Sequence, residues 1–80
     1  MNLTDTSIKT GHFVEITGFL GPEVLCERLH EMGLRVGTKL NILGRAPFKG
    51  PLLLRFNTSF LALRLDEAAC AQVRASELKV

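Results

Sequence analysis

A helix-stop signal in the middle of the chain, Met32-Gly33-Leu34, constrains the fold more than any other feature of the sequence. Glycine readily adopts the left-handed backbone conformation that ends many helices. In the Schellman type of helix end, the residue after this glycine packs against a residue of the last helical turn. The sequence offers Leu34 and Leu29 for that contact. We therefore predict that a helix ends before Gly33 and that the chain turns back by Gly37.

The residues before this signal have the pattern of one short helix. Leu25, Leu29 and Met32 recur at helical spacing and form a single apolar stripe. Pro22 suits the first helical position, where a missing N–H costs nothing. The pattern predicts a helix over residues 22–32.

Size and composition indicate a small folded domain. The chain has 80 residues, of which 46% are hydrophobic and 22% charged, which is typical of one globular domain. We expect a single domain over residues 1–80, with residues 1–7 as a loose leader. Apolar runs reach four residues, as in Phe60–Leu63, far below the roughly 20 that span a bilayer. We therefore expect a cytoplasmic protein without membrane insertion, in which Cys26 and Cys70 are free thiols.

The remaining segments read as short strands joined by tight turns. We predict five strands, a turn rich in Pro and Gly over Ala46–Pro51, and a helical turn from an N-cap at Asp66 through Cys70. The predicted strands are His12–Phe19, Thr38–Arg45, Leu52–Phe56, Phe60–Leu65 and Ala71–Ala75. The predicted fold is mainly β, a small curled sheet or barrel with one inserted helix.

An ordered set of short motifs resembles a known family. The set comprises Leu29, Glu31-Met-Gly-Leu34, Gly37, Ala46-Pro47, Gly50-Pro51, Leu61-Ala-Leu-Arg64 and Glu67-Ala68. In this order it resembles the FeoA family of small proteins that accompany the bacterial ferrous iron transporter FeoB, over roughly residues 8–75. The resemblance implies an SH3-like barrel and an accessory role in iron uptake.

The sequence gives little support to catalysis. It contains two histidines, no Tyr and no Trp, and no nucleophile stands beside a base in a known motif. The glycines form neither a dinucleotide-binding nor a P-loop pattern. We predict a protein that is not an enzyme and that needs no cofactor.

Three polar side chains on the predicted helix deserve consideration as a metal site. Glu23, Glu27 and His30 fall within a narrow arc on its outer face, and such a set suits a divalent transition metal. A solvated polar face opposite the apolar stripe explains the same residues. Because no further ligands are evident, we predict no metal site and keep this cluster as the alternative.

The same helix face has a second possible role. Glu23, Glu27 and Glu31 follow each other at intervals of four, and like charges at this spacing repel. Arg28 and Arg35 are available to offset the repulsion, which would leave an ordinary solvated face. The alternative is an acidic strip that docks a basic partner surface.

The turn between the second and third predicted strands offers another contact. Phe48 stands between Pro47 and Lys49, where it either projects into solvent or folds back over the barrel. An exposed aromatic at such a turn is typical of an interface.

The resemblance implies docking of this chain to the cytoplasmic part of a FeoB-like GTP-binding membrane transporter. The alternative is an SH3-like module of a metal-dependent transcriptional regulator, or a small barrel that binds nucleic acid. A net charge of +2 and the lack of an evident basic, aromatic strip argue against nucleic acid. The sequence leaves open the oligomeric state and whether iron contacts the chain.

Overall fold

A five-stranded antiparallel sheet and a short helix form the body of the protein. The computed structural model describes residues 1–76. The elements in chain order are β1 (Phe13–Phe19), α1 (Glu23–Glu31), β2 (Lys39–Arg45), β3 (Leu52–Phe56), β4 (Ser59–Leu63), α2 (Leu65–Ala68) and β5 (Ala71–Ser76). The strands lie in the order β4-β3-β2-β1-β5. The prediction of a mainly β fold with one short inserted helix is confirmed.

One face of the sheet supplies most of the core. Alternate residues of the strands point to opposite faces, so the inward positions are apolar and fully or almost fully buried. They include Val14, Ile16, Leu40, Ile42, Leu52, Leu54, Leu63 and Val73. Leu29 of α1 and Leu34 after it pack into the same cluster, which fixes α1 against the sheet.

The end of α1 has the geometry that the sequence predicts. Gly33 has φ 92°, and its N–H donates to the carbonyl of His30 at 2.9 Å. The N–H of Leu34 donates to the carbonyl of Leu29 at 3.1 Å, which completes the two hydrogen bonds of a Schellman motif. Leu29 and Leu34 are both fully buried. At the other end the prediction is one residue off, because Pro22 with ψ 134° is the N-cap and the helix begins at Glu23.

The structure corrects the boundary between β4 and α2. The sequence predicts a strand over Phe60–Leu65, whereas β4 begins one residue earlier, at Ser59, and ends two residues earlier, at Leu63. Leu65 is the first residue of α2, and Arg64, not Asp66, is the N-cap. The reason is Glu67, whose Oε1 accepts a hydrogen bond from the Arg64 N–H at 2.9 Å. A carboxylate three residues into a helix often binds back to the N-cap in this way.

The first residues, expected as a loose leader over residues 1–7, pack on the sheet. Leu3 is fully buried, and its N–H donates to the carbonyl of Ala71 at 3.2 Å. The N–H of Val73 donates to the carbonyl of Met1 at 2.8 Å. The Arg45 guanidinium donates to main-chain carbonyls of this segment, including that of Asp5 at 3.0 Å. One apolar side chain and the free edge of β5 are enough to hold a segment whose composition is polar.

None of the helices among residues 1–76 has the length and the apolar content needed to cross a membrane.

The Schellman end can be tested by a single added methyl group. Gly33→Ala should lower the free energy of unfolding by about 1 kcal/mol or more, because alanine is strained at positive φ. The added Cβ would meet Phe56 Cζ at 3.6 Å, an ordinary contact, so the cost comes from the backbone. Gly18→Ala is the control, since its Cβ would meet nothing within 4 Å and its φ is not positive. Equal stability of both variants in urea unfolding would contradict the assignment.

Candidate functional site

The outer face of α1 carries an acidic strip, which we define as Glu23, Glu27 and Glu31. All three side chains are exposed, on the side of the helix away from Leu29, which is fully buried. The helix is held by this leucine together with half-buried residues beside it, Leu25, Cys26 and Met32. The strip therefore stands on a fixed element rather than on a loop.

No ion pair offsets the charge of the acidic strip within residues 1–76. Arg28, one of the two expected partners, instead directs its Nη1 to Glu67 Oε2 at 3.3 Å. Arg35, the other, forms no ion pair in the described part of the chain. The three carboxylates thus keep a mutual repulsion that folding does not require.

Glu67 joins the two helices. Its side chain is 4% exposed and binds through both oxygens, Oε1 to the Arg64 N–H and Oε2 to Arg28. A buried carboxylate is tolerated when charged and polar donors satisfy it in this way. Through Arg28 the bond fixes α1 relative to α2, and with it the direction in which the acidic strip faces.

Two exposed apolar side chains occur just before and within the first turn of α1, and the sequence analysis missed them. Leu20, before the helix, is 72% exposed, and Val24 in its first turn is 67% exposed. Val24 lies on the outer face among the glutamates, out of phase with the Leu25 and Leu29 stripe. That phase was the available signal, since an apolar residue on the polar side of a helix has no role in the core. The candidate contact face of α1 is therefore acidic and apolar together.

The metal cluster kept as the alternative, Glu23, Glu27 and His30, is not assembled as a ligand set. Among residues 1–76 no group of three or more His, Cys, Asp or Glu side chains is placed to hold a metal ion. The His30 ring instead packs edge-on against Phe19, with ring centroids 4.5 Å apart and planes at 68°. An aromatic contact of this type accounts for His30 without a metal.

The two cysteines lie near each other where α1 approaches the end of α2, and both are free. Burial raises the pKa of the Cys70 thiol, and the neighbouring Cys26 raises it further. The Cys70 Sγ donates to the carbonyl of Asp66 at 3.4 Å. A Cβ on Gly21 would come within 2.6 Å of this sulfur, so the thiol fills a close-packed place. Because a protonated, packed thiol is a poor nucleophile and ligand, Cys70 does not suggest chemistry.

The turn between β2 and β3 presents Phe48 to solvent. Its side chain is 99% exposed, so of the two expectations the projecting one holds and the ring does not cap the barrel. Phe48 and Lys49 both have left-handed backbone conformations, with φ 59° and 58°. The turn is closed by a hydrogen bond from the Gly50 N–H to the carbonyl of Pro47 at 3.1 Å. A strained turn that ends in a free aromatic is a common feature of recognition loops.

The turn and the helix that carries the acidic strip both lie next to α2. A shallow cleft joins Lys49, Gly50 and Pro51 to the start of α2 at Arg64, Leu65 and Asp66, while Arg28 ties α1 to Glu67 on the same short helix. The structure thus places both predicted contact regions near one element, and the residues of both, Pro47, Phe48 and Lys49 in the turn and the three glutamates of the acidic strip, are exposed.

Comparison with known proteins identifies a family pattern over almost the whole chain. The family described as the FeoA domain matches residues 1–75. A search of curated proteins finds no match. An FeoA-like protein from Clostridium acetobutylicum has 26% identity and a TM-score of 0.84, with 100% of this chain and 90% of that chain covered.

Two further solved structures share the fold at lower identity. One is FeoA from Stenotrophomonas maltophilia, solved with zinc and described as an SH3 domain protein that possibly acts as a ferrous iron transport activating factor. It has 22% identity and a TM-score of 0.75, with 92% of this chain and 89% of that chain covered. The other is ScaR with bound zinc, at 20% identity and a TM-score of 0.77, where 91% of this chain covers 35% of that chain. The predicted SH3-like fold is confirmed by these matches.

The anchor at Glu67 can be tested by removing its charge. Glu67→Gln should lower the free energy of unfolding by about 1 kcal/mol, because the charged bond to the half-exposed Arg28 is lost. The loss should shrink when the same change is made in an Arg28→Met background, since the partner is then already absent. Glu31→Gln, on the exposed face, is the matched control and should be near neutral. A Glu67→Gln effect that is unchanged in the Arg28→Met background would refute the interhelical bond.

The metal prediction is tested by calorimetric titration with ferrous ion under reducing, anaerobic conditions. We expect no one-to-one site of about micromolar or tighter affinity, because closed metal sites need three or four converging ligands. A site of that affinity that disappears in His30→Ala would establish the cluster of Glu23, Glu27 and His30 instead.

Proposed function

The chain belongs to the FeoA family, and from that premise we propose that it serves ferrous iron transport as a non-enzymatic accessory protein. In this proposal it works in the cytoplasm and acts by docking to the cytoplasmic part of a FeoB-like membrane transporter. The observation that supports docking most directly is the acidic strip on α1, which has no ion-pair partner among residues 1–76, because a fold has no need of three neighbouring carboxylates without partners.

The chemistry of the described residues supports contact rather than catalysis. The Cys70 thiol is buried and its pKa is raised, so it is held in its unreactive form. His30 packs on Phe19, and the Nδ1 of His12 accepts a hydrogen bond from the main-chain N–H of Lys9 at 3.1 Å. A general base would need a free imidazole within reach of a substrate. The polar side chains of the strip are better suited to complement a partner's charge.

The two parts of the candidate interface would contribute in different ways. The acidic strip would steer the encounter with a basic partner surface and fix its register, an effect that salt weakens. Phe48 and Val24 would supply apolar contact that salt does not weaken. An accessory protein that binds one state of a transporter better than another shifts the balance between those states, without any chemical step of its own.

The docking proposal is tested by two substitutions in the candidate interface. Glu27→Lys and Phe48→Ala should each weaken binding to the purified cytoplasmic part of the transporter while the fold stays intact, because both side chains are exposed. For Phe48→Ala we expect a loss of about tenfold, the usual effect of truncating an aromatic anchor. The loss in Glu27→Lys should shrink as salt is added, whereas the loss in Phe48→Ala should not.

Two controls separate the interface from the rest of the surface. Thr10→Lys adds a positive charge in the turn before β1, and Val36→Ala shortens another exposed apolar side chain, 66% exposed, in the turn between α1 and β2. Neither should alter the affinity of this interface. If Glu27→Lys and Phe48→Ala bind the transporter and support iron uptake like the parent protein, the acidic strip and the turn are ordinary solvated surface.

A further inference from the structure

The outer face of β2, β3 and β4 is a second surface that folding leaves unused. It presents Lys39, Asn41 and Leu43 from β2, Leu53 and Arg55 from β3, and Phe60 and Ala62 from β4, and we call these residues the outer face. Phe60 is 70% exposed, Leu53 42% and Leu43 37%. These three and Ala62 line a shallow apolar cleft. A contiguous exposed apolar surface of this kind indicates an interaction site.

The backbone beside this cleft is also free to bind. β4 is the last strand of the sheet, and its turn of Asn57 and Thr58 makes Phe56 and Ser59 a hydrogen-bonded pair. Bonded and non-bonded pairs alternate along an antiparallel ladder. The N–H and C=O groups of Phe60 and Ala62 therefore point away from β3, to the free edge of the sheet.

The other edge of the sheet is treated differently. The Met1 carbonyl accepts a hydrogen bond from the Val73 N–H, and the Leu3 N–H donates to Ala71, so the first residues cover part of β5. Proteins commonly cover or charge an edge strand to prevent it from pairing with other chains. Among residues 1–76 no segment gives β4 such a cover.

The chain segment that forms β2, β3 and β4 carries charge of one sign, while Glu15 of β1, opposite Lys39 in the sheet, pairs with Arg74. No Asp or Glu occurs from Met32 to Leu65, and that stretch contains six basic residues, namely Arg35, Lys39, Arg45, Lys49, Arg55 and Arg64. Arg55 lies over the Phe60 ring with its guanidinium carbon 5.8 Å from the ring centroid. Arg55 and Lys39 line a common cleft next to the apolar one. Neither forms an ion pair with any of residues 1–76.

From these observations we propose that the β4 edge binds an extended peptide segment of a partner, which adds to the sheet as a sixth strand. The segment carries an apolar side chain over Ala62 and Leu53 and an acidic side chain near Phe60 and Arg55, two residues apart. Residues at this spacing share one face of a strand. Main-chain hydrogen bonds supply affinity in this mode of recognition, and the two side chains supply specificity.

Charge decides between this occupant and its alternatives. A second copy that paired through β4 would bring two basic outer faces together, which like-charge repulsion disfavours. Nucleic acid would use Lys39, Arg55 and Phe60, but it would leave Leu43, Leu53 and the strand edge without partners. The proposal does not depend on the acidic strip or on Phe48, which lie outside the outer face.

The test uses a blocked synthetic peptide, Thr-Thr-Glu-Thr-Leu-Thr-Glu-Thr-Thr, which reads the same in both directions and so fits either strand orientation. Titrated into isotope-labelled protein, it should shift the amide resonances of Leu53, Arg55, Phe60 and Ala62 in a saturable way. A matched peptide with Lys in place of both Glu residues should bind at least about tenfold more weakly.

Two variants and one control locate the site. Ala62→Pro removes an N–H that points away from β3, so it should abolish peptide binding and keep the β3–β4 ladder. Arg55→Glu should weaken binding at least about tenfold through charge. Lys9→Glu makes the same reversal away from the outer face and should bind like the parent. Circular dichroism verifies that each variant is folded, and Arg55→Glu carries the test if Ala62→Pro is not.

Several results would overturn the inference. Among them are the absence of shifts at the outer face, equal binding of the Glu and Lys peptides, and unchanged binding in folded Ala62→Pro or Arg55→Glu. A dimer in sedimentation that is lost in Ala62→Pro would assign the edge to a second copy. Oligothymidine or phosphatidylserine vesicles that bind at Phe60, without peptide binding, would assign the face to nucleic acid or to a membrane surface. Loss of transporter binding in Glu27→Lys leaves the peptide result unaffected, so the two proposals fail separately.

Discussion

The contact between Leu29 and Leu34 across Gly33 is the constraint on which the rest of the structure depends. It ends α1 with two hydrogen bonds and buries both leucines completely. The chain leaves this contact directed toward β2, which then pairs with β1 and β3. Because the same leucine anchors the apolar stripe of α1 in the core, the exposed side of α1 that carries the acidic strip is fixed as well. A helix that continued past Gly33 would lose the core and the acidic strip together.

Charge is sorted in space although it is nearly balanced in total. The net charge of +2 comes from ten basic and eight acidic residues, and the stretch from Met32 to Leu65 holds six of the basic and none of the acidic ones. Lys39, Arg55 and Phe60 thus share one face of the sheet, a grouping that the overall charge does not reveal. The sequence analysis found no evident strip of basic and aromatic residues, because these three are separated in the chain. All eight acidic residues lie outside this stretch, and three of them are in α1. A small domain can therefore offer two surfaces of opposite sign to different contacts.

The two edges of the sheet show how a small fold can keep one site open. Residues 1–3 hydrogen-bond to β5, and Leu3 enters the core, so that edge contributes to stability. β4 has no such cover within residues 1–76 and carries Phe60 in the open. In an 80-residue chain with a small core, an exposed apolar edge is a cost to solubility. Such a cost is expected where the edge has a use.

The sequence by itself determined the local features whose causes lie within a few residues. These are the stop at Gly33, the helix before it, the alternating strands and the turn over Ala46–Pro51, because backbone conformation and periodicity are short-range properties. The tertiary structure alone decided the long-range features. Arg28 pairs with Glu67 rather than with the acidic strip, Leu3 is buried, and β4 is left as a free edge. Each of these features depends on residues that are distant in the chain. The packing of the whole sheet determines which of them come together, and no local pattern encodes that packing.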